Sequence, residues 1–267
     1  MLVPSDAKTG FISRALAEAK GLCYKALMRL FPILPLAAFL VPGAAAAEQE
    51  RSSDRERMVL SVANLVATSG ARDGREIRLS VLNAMRRVSR HLFVPEAVRA
   101  AAYEDRPLAI GHDATISAPT IVALMTELLD PQPHHRVLEV GTGSGYQAAV
   151  LAGLVSEVRS IEIVEPLARS AAERLSALGY RNVEVRAGDG YVGWPEAAPF
   201  DRIIVTAAAP HVPQPLVDQL RPGGRLVIPV GRGDDEQLLL IRKDERGRVS
   251  RRSILPVRFV PLVRAER

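Results

Sequence analysis

The chain has 267 residues, of which 48% are hydrophobic and 24% charged, an ordinary globular composition with ample material for a core. Its formal charge is +5, but residues 1–46 carry five Lys/Arg against Asp6 and Glu18, so only +2 remains for the rest, and the late arginines from Arg242 to Arg252 read as a solvated face, not a nucleic-acid site. A single cysteine, Cys23, excludes an internal disulfide, and the five histidines (His91, His112, His134, His135, His211) show neither H-x-x-x-H nor H-E-x-x-H spacing, which argues against a metal.

The longest apolar stretch runs from Met28 to Val41, with a basic start and an alanine-rich end at Ala44 to Ala47. This pattern reads as an export signal over residues 28–47, with Met28 a candidate start. Its apolar core is short for a bilayer, and Pro32 and Pro35 would break a membrane helix. Residues 1–47 are therefore expected to form a signal-like or disordered segment. Residues 48–105 read as a helical cap: Met58, Val59, Val62, Leu65 and Val66 recur at helical spacing, Gly70 and Gly74 bracket a turn, and Ile77 to Val88 form a second amphipathic helix. A short helix starts at Pro95.

Residues 106–119 have loop chemistry, with prolines at each end and hydroxyls at Thr115 and Ser117. If this loop is extended, the two hydroxyls project to one side. Capping the helix predicted from Thr120 to Leu129 is the alternative role for them.

The stretch from His135 to Tyr146 then organises everything else. A short apolar strand ends in glycines at alternate positions, Gly141, Gly143 and Gly145, and a helical pattern follows at once. Strand, glycine turn, helix opens a nucleotide-binding βαβ unit, where glycine lets main chain approach a ligand closely. A dinucleotide turn wants G-x-G-x-x-G. Here the third glycine comes one residue early and an acid, Glu139, precedes the first by two. This E-x-G-x-G-x-G, with Thr142 and Ser144 in the turn, resembles the first motif of S-adenosylmethionine-dependent methyltransferases, and Glu139 suits the ligand's positively charged methionine end. Glu162, at the end of the next strand, is placed to accept bonds from two ribose hydroxyls. Asp189, between Gly188 and Gly190, is placed for an adenine amino group, a turn being the alternative. Strands are expected at residues 183–185, 199–205, 225–230, 238–241 and 257–262, with helices between several of them. That alternation predicts an α/β fold with a doubly wound parallel sheet.

With these pieces assembled, the chain resembles the protein-L-isoaspartate (D-aspartate) O-methyltransferases over about residues 56–264. The marks are Arg90-His91-Leu92-Phe93-Val94-Pro95, Ala102-Tyr103-Glu104-Asp105, Ala114-Thr115-Ile116-Ser117-Ala118-Pro119, the glycine motif, Gly188-Asp189-Gly190, Thr206-Ala207-Ala208-Ala209-Pro210 and Val257-Arg258-Phe259-Val260-Pro261-Leu262. The resemblance implies a Rossmann-like methyltransferase domain at residues 106–267, with residues 106–119 as its substrate loop. It also implies methyl transfer from S-adenosylmethionine to the free carboxylate of isoaspartyl (and D-aspartyl) residues in damaged proteins and peptides. The ester then collapses through a succinimide toward normal aspartate. By the same resemblance Ser117 belongs to the catalytic site and the partners are isoaspartyl proteins; its hydroxyl, helped by that of Thr115, is expected to orient the substrate carboxylate by donating hydrogen bonds. A monomer is favoured, and the family's usual cytoplasmic compartment stands against the export-like N-terminus. Asp113-Ala114 departs from the family pattern of Gly-Gln in bacterial relatives or Gln-Ala in animal ones, so that an acid here occupies the position of the animal-type glutamine. A methyltransferase acting on a small molecule or RNA is the alternative with the same fold.

Overall fold

The structure, a computed structural model, describes residues 51–68 and 76–264. The signal-like stretch and the turn expected at Gly70 and Gly74 lie outside these residues. Helix α1 (Ser52–Thr68) buries Met58, Val59, Val62 and Val66 on one stripe, and α2 (Leu79–Arg87) buries Val81, Leu82, Ala84 and Met85. Arg86 and Arg87 close α2 where its dipole favours positive charge. Two 3₁₀ turns follow, Arg90–Phe93 and Glu96–Ala101.

The expected loop at residues 106–119 is ordered otherwise than predicted. Strands β1 (Leu108–Gly111) and β2 (Ala114–Ile116) pair antiparallel around a two-residue turn at His112 and Asp113. Both turn residues have positive φ, 53° and 56°, as tight hairpin turns of this hand demand. Helix α3 (Pro119–Leu129) begins with proline, whose missing N–H costs nothing there. Thr115 and Ser117 do not cap it. Asp105 does so from fifteen residues upstream, accepting the Thr120 N–H at 2.8 Å and the Thr120 hydroxyl at 2.7 Å.

The remaining chain alternates strand and helix: β3 (Arg136–Val140), α4 (Tyr146–Ala152), β4 (Glu157–Glu162), α5 (Glu165–Ala177), β5 (Val183–Ala187), β6 (Phe200–Val205), α6 (Gln214–Gln219), β7 (Leu220–Val230), β8 (Gln237–Lys243) and β9 (Val249–Pro256). The sheet order is β5-β4-β3-β6-β7-β8-β9. The first five of these strands run parallel, and β8 and β9 close one edge antiparallel. Val137 and Ile204 point into the core shared with α1–α4, whereas Leu138, Val140, Ile203 and Val205 point into the core on the opposite face. Helices on both faces bury all of β6 and all of β3 except Arg136, and each strand carries a short apolar stretch, Val137-Leu138 and Ile203-Ile204-Val205.

Two sequence expectations are corrected at the C-terminus. The last strand is Val249–Pro256, an exposed edge strand rich in arginine and serine. Residues 257–262 form an irregular strap instead, tied to the sheet by a single bridge between Ala208 and Pro261. Pro261 has no N–H to give a ladder.

Because Asp105 satisfies an α3 donor that lacks an intrahelical partner, Asp105→Ala is expected to lower stability by about 1 kcal/mol. Denaturant unfolding of the two proteins checks this, and an unchanged midpoint would refute it.

Candidate active site

In a doubly wound sheet the connections leave in opposite directions from neighbouring strands at one place, and a crevice opens at their carboxyl ends. Here that place lies between β3 and β6. A cavity of about 330 Å³ lies there, within the range of small-molecule sites. Its wall comes from the turn after β3, from Glu162 at the end of β4, from Gly190 beyond β5 and from Thr206 after β6. The β1–β2 hairpin and Ser117 supply a further part, and the strap residues Val260 to Val263 another.

The glycine turn is shaped by close approach. Gly141 has φ +95°, and a Cβ there would sit 2.5 Å from Thr206 Oγ1. That hydroxyl donates to the carbonyls of Val140 at 3.1 Å and Gly141 at 2.6 Å, fastening the ends of β3 and β6 together. Gly190 is equally confined, 2.3 Å from Val140 Cγ1 by the same construction. Glu162 is buried, and its two oxygens accept the N–H groups of Gly143 at 2.8 Å and Val164 at 3.0 Å. These bonds fix the carboxylate at the wall while each oxygen keeps a further lone pair for a ligand.

Of the residues singled out in the sequence, Thr115, Ser117, Gly141, Thr142, Gly143, Ser144, Glu162 and Gly190 meet on this wall. Glu139, Gly145 and Asp189 do not reach it. Gly145, with φ +86°, starts α4 and packs toward Leu175 of α5. Asp189 turns its carboxylate onto the Tyr191 N–H at 2.8 Å, a local turn bond. Glu139 is 0% exposed because Leu138 and Val140 face the other core, which sends residue 139 to the α1–α4 face. Its Oε2 accepts from Ser160 Oγ, which lies 2.6 Å from Thr142 Oγ1, and its Oε1 has no partner among the described residues. Burial pushes its pKa up to about 8, against the pull of the Ser160 bond, and Glu162 adds to the rise. Glu139 therefore lies beneath the turn and off the cavity wall, tied to it through Ser160 and Thr142.

Three contributions had not been assigned from the sequence. Thr206 locks the turn, the strap residues Val260 to Val263 complete the wall, and Arg90 supports it from behind. Arg90 is 0% exposed; its Nε donates to the Ala102 carbonyl at 2.7 Å and its Nη2 to the Ser117 carbonyl at 2.8 Å. The guanidinium lies 4.8 Å from the ring centre of Tyr146, itself on the cavity wall. Three sequence marks far apart in the chain are thus joined by one side chain. Among the described residues no Lys or Arg lines the cavity; the titratable groups on its wall are His112, Asp113, Tyr146 and Glu162. The hydroxyls of Thr115 and Ser117 make no hydrogen bond within the described residues. Those residues hold no cluster of groups suited to a metal.

Residues 68–267 match the model of the family described as protein-L-isoaspartate(D-aspartate) O-methyltransferase. The chain belongs to this family. It is 55% identical over 238 residues to a protein-L-isoaspartate O-methyltransferase 1 of Cupriavidus necator, covering 88% of this chain and 92% of that one. A solved protein-L-isoaspartate O-methyltransferase superposes with a TM-score of 0.67 at 28% identity, over 78% of this chain and 65% of the other. A second solved structure, from Plasmodium falciparum, a protein described as a β-aspartate methyltransferase in complex with S-adenosyl-L-homocysteine, gives a TM-score of 0.65 at 27% identity, over 78% and 98%.

The buried Glu139 makes a pH-dependent contribution whose sign is fixed. Between the ordinary value of 4.5 and about 8, the folded protein holds a proton that the unfolded chain releases. The contribution is fully present below 4.5 and is lost as pH rises through about 8. Glu139→Gln is therefore expected to flatten the profile of unfolding free energy across that window, measured by urea titration at several pH values. Parallel profiles for variant and wild type would show that residue 139 does not titrate there.

Proposed function

We infer that the protein is a repair methyltransferase that uses S-adenosylmethionine to esterify the free carboxylate of isoaspartyl residues in damaged proteins. The single observation that carries the substrate choice is the hairpin-borne pair of uncommitted hydroxyls, Thr115 and Ser117, beside the glycine turn of a chain that belongs to this family. Protein substrates follow from that activity, and no helix among the described residues is long and apolar enough to cross a membrane.

The cavity fits the methyl donor. Backbone at Gly141 and Gly190 comes close enough to its neighbours that no side chain fits there, leaving a cradle of main chain. Glu162 is suited to accept the ribose hydroxyls, Gly141 to Ser144 to enclose the methionine end, and Ile161 and Leu262 to pack on the apolar parts. When bound, S-adenosylmethionine supplies an electrophilic methyl carbon on a sulfonium. In this reading Glu139, Gly145 and Asp189 act through the turns that they stabilise.

The residues facing the substrate have a limited task. An α-carboxyl group has a pKa of about 3.3–3.7, so the nucleophile is ionised at neutral pH and needs no general base. What remains is to place one carboxylate oxygen in line with the methyl carbon and to exclude water. Good placement supplies roughly 7–11 kcal/mol. Ser117 and Thr115 are suited to that role by donating to the carboxylate, and Arg90, holding the Ser117 carbonyl, keeps the loop in position. Residues 106–119 thereby act as the substrate-facing segment, and the helices before them as its support.

A hydrogen bond to a charged group contributes about 1.5–3 kcal/mol, so Ser117→Ala is expected to lower kcat roughly 10- to 100-fold while S-adenosylmethionine affinity stays within twofold. Equal losses in both would assign Ser117 a structural part only. Methyl transfer measured on an isoaspartyl peptide and its normal-aspartyl twin tests the function itself; transfer to both, or to neither, would overturn it.

A further inference from the structure

The tip of the β1–β2 hairpin is built unusually for its position. His112 and Asp113 are both non-glycine residues with left-handed backbone, at φ 53° and 56°, and both lie on the cavity wall. Such conformations are uncommon outside glycine and persist when the surroundings fix them. The hairpin register provides that constraint, because Gly111 pairs with Ala114 and Ala109 with Thr115. Asp113 is exposed, and among the described residues it takes part in no hydrogen bond or ion pair. Its carboxylate is thus presented at the cavity without an ion-pair partner among the described residues, which place no lysine or arginine on this wall.

Asp113, Thr115 and Ser117 stand at alternate positions. Four residues span at most about 13 Å at roughly 3.3 Å each, and the turn at Asp113 shortens this, so Asp113 lies within three or four substrate residues of a carboxylate received at Ser117. A peptide drawn across the hairpin presents its flanking side chains to this charge. The Debye length is about 8 Å at physiological salt and about 30 Å at 0.01 M, so the charge is felt at that range in dilute buffer.

We propose that Asp113 is a specificity-determining residue: it selects isoaspartyl peptides that carry a basic side chain within three or four residues of the damaged site and disfavours those with an acidic one there. The inference rests on the repair reading. Ser117 and Thr115 recognise the carboxylate common to all substrates, and Asp113 reads what surrounds it. The Asp113 carboxylate does not touch the reacting atoms, so its effect appears in the comparison between peptides.

The test uses the full chain and four isoaspartyl peptides with Lys or Glu three residues before or three residues after the isoaspartate, each beside its normal-aspartyl twin. Values of kcat/KM are measured for wild type and Asp113→Asn at low and at physiological salt. Asparagine tolerates left-handed backbone well, so the hairpin keeps its turn. Wild type is expected to favour Lys over Glu about five- to tenfold on one of the two sides at low salt. That ratio should shrink with added salt and fall to within about twofold in Asp113→Asn. A Lys-to-Glu ratio that is the same in both proteins would overturn the inference and leave the repair function standing. Wild type unable to distinguish the isoaspartyl peptides from their twins would overturn both.

Discussion

The site depends on a steric constraint: main chain at Gly141 and the hydroxyl of Thr206 occupy adjoining space with no room for a Cβ between them. The Thr206 hydroxyl donates to the carbonyls of residues 140 and 141. Those bonds hold the ends of β3 and β6 at one separation, and the crevice at the turning point of the sheet has its shape because of it. Everything else on the wall is hung from that junction. The turn projects toward Glu162, whose carboxylate is tied to the Gly143 N–H, and the strap is bonded to residue 208 just beyond Thr206.

Electrostatics follow an uncommon plan for a site that receives an anion. Among the described residues no Lys or Arg lies on the wall; Arg90 is behind Tyr146 and gives two of its donors to the carbonyls of Ala102 and Ser117, and Arg174 donates from outside to the Ser144 carbonyl at 2.9 Å. A carboxylate met by neutral hydroxyls stays reactive toward an electrophile, whereas a guanidinium fork would bind the same oxygens in the ground state and hold them back. Burying Glu139 serves the same plan, since the acid whose pKa is raised to about 8 adds little negative charge near neutrality to a site that already contains Glu162.

Much of this was readable in the sequence because the buried strands have a distinctive composition. Arg136–Val140 and Phe200–Val205 carry short stretches of strand-forming Val, Leu and Ile followed by glycine or alanine turns, and both sit where the pattern put them. The hairpin at Leu108–Ile116 escaped notice because its turn uses His112 and Asp113, which carry no asparagine-glycine signature. Val249–Pro256 escaped for the opposite reason to a buried strand: one exposed edge lets arginine and serine fill it. Residues 257–262 have strand composition but spend it on a strap. Glu139 looked like a ligand contact by its distance from Gly141, and the alternation of β3 turned it to the helix face. Arg90 was visible only as part of a motif, since its partners at residues 102 and 117 become neighbours only after folding.

The strap has a bearing on how the protein comes into being. Its residues at 260–263 close the cavity, and Tyr191 donates its hydroxyl to the Leu262 carbonyl at 3.1 Å. A chain still emerging from the ribosome can form the parallel strands before residues 260–263 are free to dock, and until then the crevice is open on that side. Ligand that binds only the closed crevice stabilises only chains in which the strap has docked, so small-molecule rescue of folding would act after that step.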